Sequence, residues 1–75
     1  MDEMDDIFEH EGYAIHVGAS SSRAGFLWWY EMHGVFKECR DRALPTRRAA
    51  LREGADEARR HAERLKAAGG LDIGG

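Results

Sequence analysis

Phe26-Leu27-Trp28-Trp29-Tyr30-Glu31-Met32 holds both tryptophans, one of the two tyrosines and much of the bulky apolar mass of the chain. Phe26, Trp28, Tyr30 and Met32 alternate with the mixed set Leu27, Trp29, Glu31 and His33. That period of two marks a central β-strand with one core-facing side.

Two further strands flank it in the sequence. Tyr13, Ile15 and Val17 alternate with Ala14, His16 and Gly18, which predicts a first strand over Glu11 to Ala19. The cluster Ala19-Ser20-Ser21-Ser22-Arg23-Ala24-Gly25 has turn composition, and the central strand follows it. His33-Gly34 supplies a hairpin turn, after which Val35 to about Asp41 reads as a shorter third strand. A first turn centred on Ser21 and Ser22 sets Tyr13 opposite Tyr30, Ile15 opposite Trp28 and Val17 opposite Phe26. Every large residue then shares one face, an arrangement that a one-residue slip destroys. In the second hairpin Met32 pairs with Val35, so Lys37 lies beside Tyr30 and Cys39 beside Trp28 as a small core residue.

Leu44-Pro45-Thr46 opens a helix, with Thr46 as its cap, that runs from about Thr46 to Ala68 and stops before Gly69-Gly70. Leu51, Ala55, Ala58, Ala62 and Leu65 recur on one side of it, with Gly54 at the margin. Small residues admit close approach to a surface, and Gly54 fits a helix interior where an aromatic ring packs over it. The predicted fold is therefore α+β: a three-stranded antiparallel meander with one C-terminal helix on one face, in the order β-β-β-α. Residues 1–9 read as an acidic N-terminal arm able to dock through Ile7 and Phe8, residues 10–68 as a single domain, and residues 69–75 as a flexible Gly-rich tail.

Seventy-five residues place the chain near the lower size limit for an unaided core. One cysteine excludes an intrachain disulfide. No stretch approaches the roughly 20 apolar residues of a membrane span, and the start Met1-Asp2-Glu3 is unlike a basic signal peptide, so a cytoplasmic protein is expected. The net charge of −3 hides a separation between the acidic first segment and an arginine-rich stretch from Arg47 to Lys66. An acidic balance disfavours general nucleic-acid affinity.

Chemistry-bearing clusters are sparse. The favoured register sets His10 across from His33, near Glu31 or Glu11, but this spacing matches no close-set metal motif. Ser20, Ser21 and Ser22 have no evident base, and Cys39 points into the core. A non-enzymatic protein with no cofactor and no resident metal is expected. Arg47 and Arg48 stand in the first helical turn, where the helix dipole disfavours cations, and are the candidate contacts for an acidic arm, an anion or nucleic acid. Further along, charges of both signs alternate, including the spacing Asp56 to Arg60, as on a solvated face.

One helix covers one side of a sheet, which leaves Leu27, Trp29 and Phe36 on the other side with Ala14, His16 and Glu31. Leu27, Trp29, Phe36, His16 and Glu31 are the candidate protein interface, for a homodimer or another protein partner. Cover by Ile7, Phe8, Leu71 and Ile73 is the competing arrangement.

Gly12-Tyr13-Ala14-Ile15 and the phrase from Pro45-Thr46 through Ala50, Gly54 and Ala58-Arg59 resemble small bacterial single-domain proteins, over roughly residues 11–66. The order of elements also resembles the β-β-β-α partial domain of HicB-type antitoxins, in which a Thr-capped, alanine-rich helix follows three strands. That resemblance implies a small regulator, although the chain lacks the C-terminal DNA-binding segment.

Overall fold

The computed structural model describes residues 5–69. It is an α+β unit with one antiparallel sheet and one helix: β1 (Asp6–His10), β2 (Tyr13–Ser22), β3 (Gly25–Met32), β4 (Val35–Glu38) and α1 (Arg47–Ala67). The sheet is a meander in the order β1-β2-β3-β4. It has four strands where the sequence predicts three. The acidic segment expected as an arm pairs with β2, Phe8 lying opposite Ile15 and His10 opposite Tyr13. Glu11 and Gly12 between them both take positive φ, 55° and 85°, giving a tight turn whose twist matches the flanking strands. The Leu71 and Ile73 cover and the Gly-rich tail beyond Gly69 lie outside the described residues.

The central hairpin differs in register. Val17 faces Tyr30, Ala19 faces Trp28 and Ser21 faces Phe26, so the partner of Tyr30 is Val17 and not Tyr13. Ser20, Ser21 and Ser22 remain in the ladder, and the turn falls on Arg23 and Ala24, with Ser22 paired to Gly25. The offset is even, so each side chain keeps the face its alternation assigns. The second hairpin follows the predicted pairing of Met32 with Val35 and Tyr30 with Lys37. Beyond β4 the Cys39 amide donates to the Trp28 carbonyl at 2.9 Å. Leu44 then exchanges two 2.8 Å hydrogen bonds with Phe26, closing the edge of β3 that β4 leaves open.

Helix α1 starts where the sequence places it. The Thr46 hydroxyl accepts from the Ala49 amide at 3.0 Å, which satisfies one of the orphan donors of the first turn. Its buried stripe is Ala50, Gly54, Ala58 and Ala62, seated on Tyr13, Ile15, Val17, Trp28, Tyr30 and Met32. Leu51, Ala55 and Leu65 pack at the margin, and Cys39 is buried as expected. The indole N–H of Trp28 donates to Glu53 at 3.2 Å, so the largest core ring keeps its polar atom satisfied. The helix is too polar to cross a membrane, and among the described residues no helix is long and apolar enough to do so.

At Gly54 the helix comes so close to the sheet that a side chain has no room. A Cβ there would stand 2.9 Å from both Trp28 Cβ and Val17 Cγ2. Gly54→Ala is therefore expected to destabilise the fold, because overpacking costs about 1–3 kcal/mol against the ~1 kcal/mol that alanine gains over glycine in a helix interior. Urea denaturation of the two proteins checks this, and a higher midpoint for the alanine variant would refute the close contact.

Candidate functional site: the open sheet face

Alternation sends Asp5, Ile7 and Glu9, then Ala14, His16, Gly18 and Ser20, then Leu27, Trp29 and Glu31, then Phe36 and Glu38 to the side away from α1. The predicted interface set Leu27, Trp29, Phe36, His16 and Glu31 is thus brought together on one surface. Phe8, proposed above as part of a cover for that surface, lies instead on the helix side against the core. Ile7 is on the open side but is 73% exposed, so it covers nothing.

The centre of this face is an aromatic chain. Trp29 lies flat over Gly18, where a Cβ would collide with the indole ring. His16 meets its edge at 5.0 Å between ring centroids, and Phe36 stacks on it at 5.9 Å. Leu27, Trp29 and His16 are half-buried, whereas Phe36 is 59% exposed. Beside Trp29 a shallow cleft of about 390 Å³ is lined by Ser20, Leu27, Glu38 and Arg40 among others. Glu38 stands directly across the ladder from Trp29, and Glu31 lies between His16 and Phe36. The carboxylates of this face are Asp5, Glu9, Glu31 and Glu38. The His16 ring donates to Asp5 at 3.1 Å, and Arg40 donates to Glu38 at 2.6 and 2.9 Å.

The arginine-rich end of the helix forms a second surface. A groove of about 570 Å³ between α1 and β1 is lined by Asp6, Arg47, Arg48, Leu51, Arg52, Ala55 and Arg59. Among the described residues Arg47 finds no carboxylate of the acidic arm: it donates to the Ala19 carbonyl at 2.9 Å and lies 5.2 Å over the Phe26 ring. Arg59 lies 5.1 Å over Phe8 and donates to Asp56. The expected Asp56–Arg60 pair is replaced by the i,i+3 pairs Asp56–Arg59 and Glu57–Arg60. Arg48 is exposed.

His10 and His33 do not meet. His10 donates to Glu63 at 2.7 Å and, with Glu11, forms a His-Glu-Glu group whose ligand atoms lie within 4.8 Å of one another. Lys66 approaches Glu11 at 3.6 Å, so these side chains tie the β1–β2 turn to the end of the helix. His33 packs edge-on against Tyr13. The sequence reading had Glu11 beside His10 but missed Glu63, which the helix brings to the β1–β2 turn.

On the helix side, the Tyr30 hydroxyl is hydrogen-bonded with Nδ1 of His61 at 2.7 Å. Burial, then the Glu57 carboxylate, raises the Tyr30 phenol above its usual value against the opposing Arg64. Burial, then the Arg64 and Lys37 cations, holds His61 below the ordinary imidazole value. Both shifts favour the neutral pair.

No protein-family model, curated protein or solved structure matches this chain.

His61 binds its proton more weakly in the folded chain than in the unfolded one. Its contribution to stability is therefore complete above the unfolded value of about 6.5 and is lost as pH falls from there through the lower folded value. Urea midpoints measured from pH 7.5 down to pH 5 should fall less steeply in His61→Gln than in the parent. Parallel slopes would show that His61 does not carry the effect.

Proposed function

We propose that this chain is a small non-enzymatic protein-interaction module that self-associates as a two-fold dimer through the edge of β4. The observation that carries the reading is the state of that strand. All four of its residues are exposed, α1 packs on β1, β2 and β3 but not on β4, and among the described residues its outer edge has no partner strand. An open strand edge is a template for another strand.

Physical constraints select the register. A two-fold axis normal to the sheet pairs each β4 residue with one on the same face of the second copy. Phe36 opposite Phe36 of the partner subunit extends the aromatic chain across the join and sets Val35 beside Lys37 of the partner subunit. Lys37 opposite its own mate would oppose like charges. Stacking the open faces is the weaker route, because Glu9, Glu31 and Glu38 would confront the same residues of the second copy. A four-residue edge lies below the ~1,200 Å² of a standard interface, so the dimer dissociates on dilution. The non-enzymatic reading is supported by the charged groups of the cleft lined by Arg42, Glu53, Glu57 and Arg60, which pair with one another as Arg42–Glu53 and Glu57–Arg60.

Sedimentation velocity across a dilution series reaching high micromolar concentration tests the proposal. The parent should pass from monomer to dimer, and Phe36→Glu should remain monomeric with a nearly unchanged melting temperature, since Phe36 contributes little to the monomer core. A strictly monomeric parent, or a dimer unaffected by Phe36→Glu, would overturn it.

A further inference from the structure

We infer that the open sheet face is a platform for a cationic peptide segment, with a lysine or arginine side chain lying on Trp29 and its charge between Glu31 and Glu38. The inference rests on reading this chain as an interaction module and names the chemistry of a second partner, at a surface that an edge dimer leaves free.

Charge complementarity identifies the occupant. Glu9, Glu31 and Glu38 alternate onto this face, Asp5 reaches it through His16 and Arg40 through Glu38. Trp29 presents an aromatic face backed by Gly18 and flanked by Phe36, and cations are attracted to such a face. The adjoining cleft has Leu27 and Trp29 to receive an aliphatic stem, and Glu38 to receive its charge. The geometry of that last contact is already present within the chain. Glu38 accepts two hydrogen bonds from the Arg40 guanidinium, whose side chain is 78% exposed and free to give way to an incoming one. A β-sheet bearing exposed aromatic rings is also a surface on which nucleic-acid bases can stack. Here the same carboxylates repel a phosphate backbone, which decides for the cationic segment.

The probe is a capped hexapeptide of alternating arginine and serine, with the same peptide carrying glutamate for arginine as control, titrated into the full chain and followed by two-dimensional amide and indole NMR. Saturable shifts are expected at the Trp29 indole and at Glu31, Phe36 and Glu38, with the acidic control silent. Glu31→Gln combined with Glu38→Gln should weaken binding by about tenfold, the product of two exposed charge pairs. Trp29→Leu should weaken it several-fold at unchanged helical circular dichroism. If Trp29→Leu proves unfolded, the double glutamine variant alone decides. Equal shifts with both peptides, shifts unaffected by the glutamine pair, or preferential binding of oligothymidine would each overturn the inference. A dilution series on the same samples separates the two readings. Loss of the dimer with peptide binding retained removes only self-association, whereas a dimer that ignores the peptide removes only the platform.

Discussion

The contact between the backbone of α1 and the ring of Trp28 governs this structure. A helix seated through Ala50, Gly54, Ala58 and Ala62 has little side-chain volume of its own to bury. The core must therefore be filled from the sheet, by Tyr13, Ile15, Val17, Trp28, Tyr30 and Met32. Close packing then demands that the helix come within van der Waals distance of those rings. Once that side is the core, alternation commits Trp29, His16 and Phe36 to the other. The character of the open face is thus a consequence of how the covered face is packed.

The two tryptophans solve the same steric problem in different ways. Trp28 reaches across the interlayer space to Gly54 of the helix, while Trp29 folds over Gly18 of the neighbouring strand within its own layer. Each ring uses a missing Cβ. The first contact joins two layers and stabilises the domain. The second flattens a large side chain against the sheet, which shields half of it from water and leaves a planar aromatic surface facing outward. A residue with a side chain at position 18 would lift the indole and break its stack with Phe36.

What the sequence made legible was governed by the period of the apolar pattern. Tyr13, Ile15 and Val17 and the run Phe26 to Met32 alternate without interruption, so their strands, their faces and the membership of the core could be read directly. Thr46 and Gly69-Gly70 likewise placed the helix to within a residue at each end, whereas the stripe is centred on Ala50 and Gly54 and leaves Leu51, Ala55 and Leu65 at its margin. Strand β1 was hidden because its inward positions are Asp6, Phe8 and His10, of which only Phe8 is apolar. His10 is held by the helix through Glu63, and such a partner has no local signal. Glu11 at positive φ is also an uncommon turn residue, so the hairpin that joins β1 to β2 did not announce itself. The serine run misled for a related reason. Ser20, Ser21 and Ser22 are exposed and held by the ladder, Ser22 also by its hydroxyl bond to the Gly25 carbonyl, and their polarity mimics a turn. Because the resulting register error was even, the open face was assembled from the right residues despite the wrong partners.

Charge decides which of the surfaces can meet one another. Among the described residues the acidic segment meets the arginine-rich helix only in part: Glu11 approaches Lys66 and Asp6 reaches the groove, but Asp5 turns to His16 on the far side of the sheet, and Arg47 finds a carbonyl and a ring instead. The two faces of the molecule therefore keep opposite signs, acidic around Trp29 and basic around Leu51. A molecule polarised in this way resists stacking like face on like face. It tolerates contact along β4, where Lys37 and Glu38 project to opposite sides of the sheet and neither sign accumulates. An edge contact has the further property of leaving both charged faces open to solvent, so each retains its attraction for a partner of the opposite sign. In the proposed assembly, segregated charge on a single small domain would confine self-association to a narrow strip of backbone and reserve the broad aromatic surface for something unlike itself.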